Sequence, residues 1–235
     1  MKTQVKALFA RLGLSVHRLG APLTGLFDHL ILENQLRIAG PDFFFVQVGA
    51  CDGVSFDNLF EVVTRNKVKG IVIEPLPDLY EQLTKNYEGF PAVKPVNVAL
   101  HSSSKQMELY RVPPGVDAPI WAKGIASFDP EHHRRAGIPS TQIVRESVKC
   151  VSWDELLDQH RVERIDYLQI DAEGYDYEIL AMVRHGRIRP QIIKFEHNLG
   201  SGIGAKREFE TCISQFVELN YKVVVGGQDA IAYSE

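Results

Sequence analysis

The residues best suited to chemistry in this sequence are acidic, and they stand where apolar stretches end. Asp171 and Glu173 follow the stretch YLQI, and Glu196 and His197 follow the stretch IIKF. Carboxylates at the end of a buried segment are costly unless they are hydrogen-bonded or bound to a ligand. Histidine titrates near neutrality and can accept the proton of a hydroxyl group. We therefore predict a site that manages protons, with these four residues as its catalytic candidates.

A glycine loop forms a second group of interest. The loop GACDG spans residues 49–53, directly after the apolar stretch FFFVQV. A dinucleotide loop of the GxGxxG type needs glycines where Cys51 and Val54 stand, which disfavours NAD. Glu74 ends the next apolar stretch, about 20 residues after the glycine loop. A carboxylate at that separation can accept hydrogen bonds from ribose hydroxyls. A nucleoside with a cationic centre and a zwitterionic tail but no pyrophosphate, such as S-adenosylmethionine, fits this loop better.

Strand-like and helix-like segments alternate around these residues. After two N-terminal helices, expected at roughly 3–19 and 22–38, the order strand–helix–strand–helix–strand predicts an α/β fold with a parallel, doubly wound sheet. Ser152 followed by Glu155 predicts a capping box at a helix start, and Gly226-Gly227 predicts a terminal hairpin. A sheet of this kind binds ligands outside the carboxyl ends of its strands, where strand order reverses. That rule places the glycine loop, Glu74 and Asp171 at one site.

Composition limits the classes of partner. The net charge of −4 and the pI near 6.1 argue against nucleic acid as a partner. The three cysteines are widely spaced and odd in number, which favours a reducing, cytoplasmic location. The sequence has no apolar run long enough for a membrane span. Helical spacing at the N-terminus indicates packing on the domain or on a second subunit, so a homodimer is compatible with the sequence.

Four motifs together resemble the FkbM-type methyltransferases, a branch of the class I S-adenosylmethionine-dependent enzymes. They are FVQVGACDG, IVIEPLP, VNVAL and IDYLQIDAEGYDYEIL, and the resemblance covers about residues 43–200. It implies a Rossmann-like fold with a seven-stranded, mostly parallel sheet whose last strand is antiparallel, preceded by N-terminal helices. It also implies O-methylation of a sugar or polyketide hydroxyl. We expect a helical extension over residues 1–40 and a methyltransferase domain over residues 41–235.

The resemblance also implies roles for individual residues in cofactor binding. Gly49 and Gly53 would let the backbone approach the methionine part, and Asp52 would meet its ammonium group. Glu74 would accept hydrogen bonds from the ribose diol. Asn97 and Ala99 would border the adenine. The full expected set is Gln47, Gly49, Ala50, Asp52, Gly53, Glu74, Pro75, Asn97, Ala99, Ser127 and Asp171. Many class I enzymes carry an acidic residue where this chain has Gln47, so a contact made there must be neutral.

Methyl transfer to oxygen requires an aligned hydroxyl and a destination for its proton. We expect Asp171 to lie nearest the reacting methyl group, with the other three candidates shaping or deprotonating the acceptor. Two alternatives stay open for these acids. Asp171, Glu196 and a sugar diol would give the oxygen-rich shell that Mg²⁺ accepts. Glu173 would alternatively favour the positive end of the following helix.

An irregular insert at about residues 113–146 interrupts the pattern. Loops of this length in a compact domain are usually functional or disordered, and we expect a lid that includes Ser127 as a cofactor contact. Trp121 and Phe128 would stack on a sugar or close over the cofactor. The run HHRR at residues 132–135 would bind an anionic substrate or form a solvated face.

Three other functions remain to be separated from O-methylation. One is a module that binds the cofactor without catalysis. The second is an N- or C-methyltransferase of the same fold. The third is an NAD-linked epimerase or reductase of sugars, which the missing GxGxxG and the absence of a Tyr-x-x-x-Lys pair disfavour.

Overall fold

A seven-stranded sheet forms the centre of the protein in a computed structural model, which describes residues 23–55, 59–197 and 203–234. The helix expected at 3–19 lies outside these residues. Along the described chain the strands are β1 (Phe44–Val48), β2 (Lys69–Ile73), β3 (Val93–Val96), β4 (Ala99–Leu100), β5 (Gln106–Arg111), β6 (Ala126–Ser127), β7 (Val144–Val151), β8 (Tyr167–Ile170), β9 (Ile192–Glu196), β10 (Lys222–Val225) and β11 (Asp229–Tyr233).

Strand order in the large sheet is β10-β11-β9-β8-β1-β2-β3. The pairs β1–β2, β2–β3, β1–β8 and β8–β9 are parallel, whereas β11 runs antiparallel to both β9 and β10. This confirms the predicted class I methyltransferase fold with its antiparallel last strand and terminal hairpin. Strand order reverses between β1 and β8, so their adjacent carboxyl ends form the crevice in which such sheets bind ligands.

The helices are α1 (Leu23–Ala39), α2 (Leu59–Asn66), α3 (Pro77–Asn86), α4 (His132–Arg135), α5 (Trp153–Gln159), α6 (Asp176–His185) and α7 (Ile203–Glu218). The short helix α4 belongs to the insert, and the other six pack on the faces of the large sheet. One apolar cluster lies under α5, α6 and α7, and another lies under α1, α2 and α3. The predicted capping box is confirmed, because the Ser152 side chain accepts from the Glu155 backbone and Glu155 bonds back to Ser152.

Helix α1 is attached to the sheet through a buried carboxylate. Asp166, immediately before β8, accepts hydrogen bonds from the Gln35 side chain (3.0 Å) and from the Phe44 backbone N–H (2.9 Å). Arg164 pairs with the same carboxylate. A buried charge is tolerated where it is paired and hydrogen-bonded in this way. Within the described ranges, no helix has the length and apolar character needed to cross a membrane.

A second, four-stranded sheet of order β4-β7-β5-β6 lies beside the first. The stretch AVKPVNVAL, expected as one strand, divides into β3 in the large sheet and β4 in the small one. The buried Arg111 guanidinium joins the small sheet to α3, because its Nη2 donates to Asp78 Oδ2 (2.9 Å) and its Nη1 to Glu146 Oε2 (3.0 Å). The small sheet thereby fixes where both ends of the insert leave the domain.

Candidate functional site

A cavity of about 620 Å³ opens at the carboxyl ends of the central strands. Its wall combines the glycine loop after β1, the end of β2, the loop after β8, the end of β9 and parts of the insert. The side chains and backbone that line the cavity include Gln47, Gly49, Ala50, Glu74, Pro75, Leu76, Leu79, Ala99, Trp121, Phe128, His132, Arg135, Gln169, Asp171, Glu173, Tyr175, Glu196 and Gln228. Nine residues of the predicted cofactor and catalytic sets therefore surround one space: Gln47, Gly49, Ala50, Glu74, Pro75, Ala99, Asp171, Glu173 and Glu196.

The glycine loop approaches the loop after β8 as closely as backbone can. Gly49 has a φ of +76°, and a Cβ at this position would lie 1.7 Å from the backbone oxygen of Asp171. The backbone N–H groups of Gly49 and Ala50 donate to Ile73 O at 3.1 and 2.9 Å. Only glycine adopts this left-handed conformation without strain and also leaves room for the Asp171 carbonyl. This close approach places the floor of the cavity between β1 and β8.

Glu74 is a buried carboxylate that connects two backbone segments. Its Oε2 accepts from Cys51 N and its Oε1 from Leu76 N, both at 2.9 Å. Burial raises the pKa of the Glu74 carboxyl to about 7 despite these donors. The Asn97 side chain donates to the carbonyls of Glu74 and Pro75, each at 2.9 Å. Asn97 thus orders the turn after β2, while Glu74 and Pro75 border the cavity itself.

Two predicted loop residues serve the loop instead of facing the cavity. The Asp52 carboxylate accepts from the backbone N–H of Val54 (2.9 Å) and Ser55 (2.6 Å) and from the Ser55 hydroxyl (2.6 Å). Gly53 is buried with a φ of +77°, and a Cβ there would lie 2.5 Å from Leu83. The loop therefore owes its shape to these two residues, which are not among the residues that line the cavity.

The opposite end of the cavity is an acidic wall of Asp171, Glu173 and Glu196. Asp171 is accessible from the cavity, yet the surrounding protein and the negative charges of Glu173 and Asp176 raise its pKa to about 8. Burial and then the charge of Glu173 also raise the pKa of Glu196. Three acidic side chains at one end of a cavity favour the binding of positive charge there.

Asp176 supports the acidic wall from below. This buried carboxylate, at the start of α6, accepts from the backbone N–H of Gly174 (3.2 Å) and of Ala172 (3.4 Å). Burial raises its pKa to about 7. The chain at residues 172–174 is thereby fixed to the helix that follows.

Two predicted site residues lie next to the cavity without lining it. His197 is 4% exposed, its Nε2 is 3.2 Å from Gly226 O, and its ring packs on Phe209. The Ser127 hydroxyl donates to the carbonyl of Glu173 at 2.7 Å. The structure therefore places His197 in the packing behind the hairpin and Ser127 under the acidic wall.

Several cavity residues were not in the predicted sets. Gln169 pairs in register with Gln47 across β1 and β8, and both glutamines border the cavity. A polar residue inside each of two apolar strands was the available signal. Tyr175 packs on Phe128, with ring centroids 4.9 Å apart, and Gln228 approaches from the hairpin. No sequence pattern indicated these last two contacts.

The alternative of a metal ion finds no support in the structure. Across residues 23–55, 59–197 and 203–234, no group of three or more histidine, cysteine, aspartate or glutamate side chains is arranged to hold one. The hypothesis of Mg²⁺ held by Asp171 and Glu196 is therefore not taken further.

Comparisons with known proteins agree with this geometry. The sequence model of the methyltransferase FkbM domain matches residues 47–223. The hexuronic acid methyltransferase AglP of Haloferax volcanii is 26% identical over 119 residues, which are 50% of this chain and 42% of that protein. The chain thus matches less than half the length of this relative.

Solved structures with a similar fold include two methyltransferases. The FkbM methyltransferase of Methylobacillus flagellatus is 10% identical with a TM-score of 0.46, covering 81% of this chain and 43% of its own. The Podospora anserina methyltransferase PaMTH1, bound to SAH, is 11% identical with a TM-score of 0.46, covering 88% and 76%.

Proposed function

This chain belongs to the methyltransferase FkbM family, and from that premise we propose that it transfers the methyl group of S-adenosylmethionine to a hydroxyl oxygen of a sugar, a glycan precursor or a glycosylated or polyketide metabolite. The family establishes an S-adenosylmethionine-dependent methyltransferase. The atom that is methylated and the class of acceptor are our proposal. The observation that carries it is the acidic wall at the end of the cavity opposite Glu74.

The residues present fit the cofactor. The ribose diol would donate to the buried Glu74 carboxylate, a charge-assisted contact worth about 1.5–3 kcal/mol. The apolar side chains of Leu76, Leu79 and Ala99 would enclose the adenine. The glycine loop would admit the methionine part, and Asp171 would face its positive charge. The neutral Gln47 contributes a polar contact on the same floor.

The acidic wall favours oxygen of a hydroxyl group as the acceptor atom. A hydroxyl must lose a proton as it attacks, so it needs a proton acceptor nearby. An acceptor that is already a carboxylate needs no base, and it would bring a further negative charge against Asp171, Glu173 and Glu196. The hexuronic acid methyltransferase among the relatives supports a sugar as the molecule that carries the acceptor group.

Bound S-adenosylmethionine supplies an electrophilic methyl group on a positively charged sulfur. The chain aligns the acceptor oxygen with that carbon, which removes the entropy of encounter from the barrier. Glu173 would take the hydroxyl proton as the acceptor oxygen receives the methyl group, for which the bound cofactor would supply the sulfur leaving group. Asp171 and Glu196 shape the acceptor side of the cavity.

The arrangement of the chain is part of the same proposal. Residues 41–235 form the methyltransferase domain, and residues 1–40 extend it. The insert acts as a lid, because Trp121, Phe128 and His132 reach the cavity from it. Size-exclusion chromatography with light scattering measures whether the chain forms the homodimer that we expect.

Calorimetric titration tests cofactor binding. We expect micromolar binding of S-adenosylmethionine and S-adenosylhomocysteine, about −8 kcal/mol, and none of NAD. Glu74→Ala should abolish it, whereas Glu81→Ala, on the exposed side of α3, should leave it unchanged. Loss in both variants, or binding of NAD alone, would contradict the cofactor assignment.

An acceptor screen with methyl-labelled cofactor tests the chemistry. We expect label in neutral and acidic methyl glycosides, in a product that resists mild alkali as a methyl ether does and a methyl ester does not. Label on nitrogen or carbon would favour the other methyltransferase classes. Cofactor binding with no labelled product from any acceptor would favour a module without catalysis.

A further inference from the structure

The insert holds one residue of the acidic wall at two points. His132, on the short helix α4, places its Nε2 3.0 Å from Glu173 Oε2. Ser127, on β6, donates to the backbone carbonyl of the same glutamate at 2.7 Å. Both contacts join positions more than 40 residues apart in sequence, since they are separated by 41 and 46 residues. The insert is therefore hydrogen-bonded to the loop after β8 at Glu173.

The backbone of Glu173 is held in a conformation that it would not adopt freely. Its φ is +48°, in the left-handed region, followed by Gly174 at +93°. A residue other than glycine costs on the order of 1 kcal/mol there. Such conformations persist where the surroundings over-determine them, and they cluster at functional sites. Here the Ser127 hydroxyl and the Asp176 carboxylate fix the backbone on either side of the strained residue.

His132 faces two residues of the acidic wall, because its Nε2 contacts Glu173 and it interacts electrostatically with Glu196. The residue is 9% exposed and lines the cavity. Among the described residues, its buried Nδ1 has no hydrogen-bond partner, and this atom lies beside Gly174. Leaving a buried polar atom unpaired costs about 1–3 kcal/mol. If this position served packing alone, an apolar side chain would stabilise the fold more than histidine does. Because Nε2 faces a carboxylate, we assign the ring proton to Nε2, which then donates a hydrogen bond to Glu173 Oε2.

We propose that His132 is a positioning residue of the reaction. Its Nε2–H holds Glu173 Oε2, so that the other carboxylate oxygen is directed at the acceptor hydroxyl. When the acceptor O–H bond breaks, the proton passes to Glu173, the acceptor oxygen bonds to the methyl carbon, and the C–S electron pair leaves with sulfur. The inference rests on the proposed O-methylation. It adds that a residue of the insert is required for chemistry as well as for enclosure.

The adjacent residue His133 provides a matched control. It lies on the same short helix and is 5% exposed, with its Nε2 3.0 Å from Ser140 Oγ, but it does not line the cavity. A substitution there tests what disturbing α4 does by itself. His132→Gln is the conservative variant, because the glutamine amide can donate to Glu173 from a similar position but cannot be protonated near neutral pH.

The experiment measures kcat, KM and cofactor affinity of the full chain with the methyl glycosides that the acceptor screen identifies. We expect His132→Ala to lower kcat at least tenfold while the Kd for S-adenosylhomocysteine stays within twofold. His132→Gln should recover most of that loss, and His133→Gln should leave kcat nearly unchanged.

Three results would overturn the inference. They are an unchanged kcat in His132→Ala, a loss of kcat in His133→Gln as large as that in His132→Ala, and no recovery of kcat in His132→Gln. Wild-type protein that binds the cofactor but methylates none of the glycosides would refute the proposed function, and the inference with it. The wild-type control therefore distinguishes the two failures.

Discussion

Binding of the cofactor should be accompanied by release of a proton from Asp171. The surrounding protein and the negative charges of Glu173 and Asp176 raise the pKa of Asp171 to about 8. A cationic ligand beside this carboxyl favours its ionised form and lowers that pKa. Asp171→Asn removes the titrating group and keeps a side chain of nearly the same size.

The size of the effect follows from the raised pKa. With a pKa of about 8, about nine-tenths of the Asp171 carboxyls are protonated at pH 7. If bound cofactor returns the pKa to its ordinary value near 3.9, binding releases about 0.9 proton at pH 7, and affinity rises about ninefold from pH 6 to pH 7. The sign is fixed, because a ligand that prefers the ionised carboxyl must bind more tightly as pH rises towards 8. Both figures are upper limits for this one group.

Calorimetry in buffers of different ionisation enthalpy measures the released proton directly. Titrations of S-adenosylmethionine into wild type and Asp171→Asn in phosphate and in Tris, at pH 6 and pH 7, give proton counts that should differ by nearly one at pH 7. Glu74→Gln is the control. The pKa of Glu74 is raised to about 7, so this carboxyl can also release a proton on binding, and the variant measures that second contribution separately. Equal proton release by wild type and Asp171→Asn would refute the assignment of the cationic end of the cofactor to Asp171.

Four further outcomes are expected from single substitutions. Gly49→Ala should abolish cofactor binding and lower the melting temperature, because its Cβ would lie 1.7 Å from the Asp171 carbonyl oxygen; wild-type affinity would contradict this. Glu74→Gln should weaken binding at least tenfold in calorimetry, since one backbone donor then faces an amide N–H₂, a loss of about 1–3 kcal/mol. Arg111→Met should destabilise the fold by about 2 kcal/mol in urea unfolding, less than for a fully buried pair because Asp78 is partly exposed. Asp171→Asn should melt above wild type at pH 9, because a carboxyl with a raised pKa loses its contribution to stability as pH rises through that pKa; equal melting there would argue against the raised value.

The large sheet was predictable because each strand carries a local signal. Apolar stretches ending in glycine or in an acid mark strands whose carboxyl ends meet at one edge, and that edge is where the cavity lies. The small sheet had a weaker signal. Asn97 stands where the stretch VNVAL changes sheets, and its side chain bonds to the carbonyls of Glu74 and Pro75 instead of continuing the strand.

Side-chain alternation explains why neighbouring candidates differ. Successive residues of a strand point to opposite faces. In β9 the buried side of Ile193 and Phe195 continues to His197, which packs on Phe209, while Glu196 points to the other face and reaches the cavity. Applied strictly, this rule would have separated Glu196 from His197 on sequence alone. No comparable rule distinguishes a loop carboxylate that binds a ligand from one that bonds to its own turn, as Asp52 does.

The half of the cavity proposed for the cofactor and the half proposed for the acceptor differ in how the chain forms them. This difference explains why the sequence predicts the first half better than the second. Residues proposed for the cofactor follow strands of fixed register, so their spacing in sequence reports their positions in space. The acceptor half depends on contacts between the insert and the loop after β8, such as His132 with Glu173, across more than 40 residues without periodicity. A sequence pattern therefore identifies the cofactor before it identifies the acceptor. If Glu173 acts as proposed, a change of insert that alters acceptor choice should preserve the contacts that His132 and Ser127 make with Glu173.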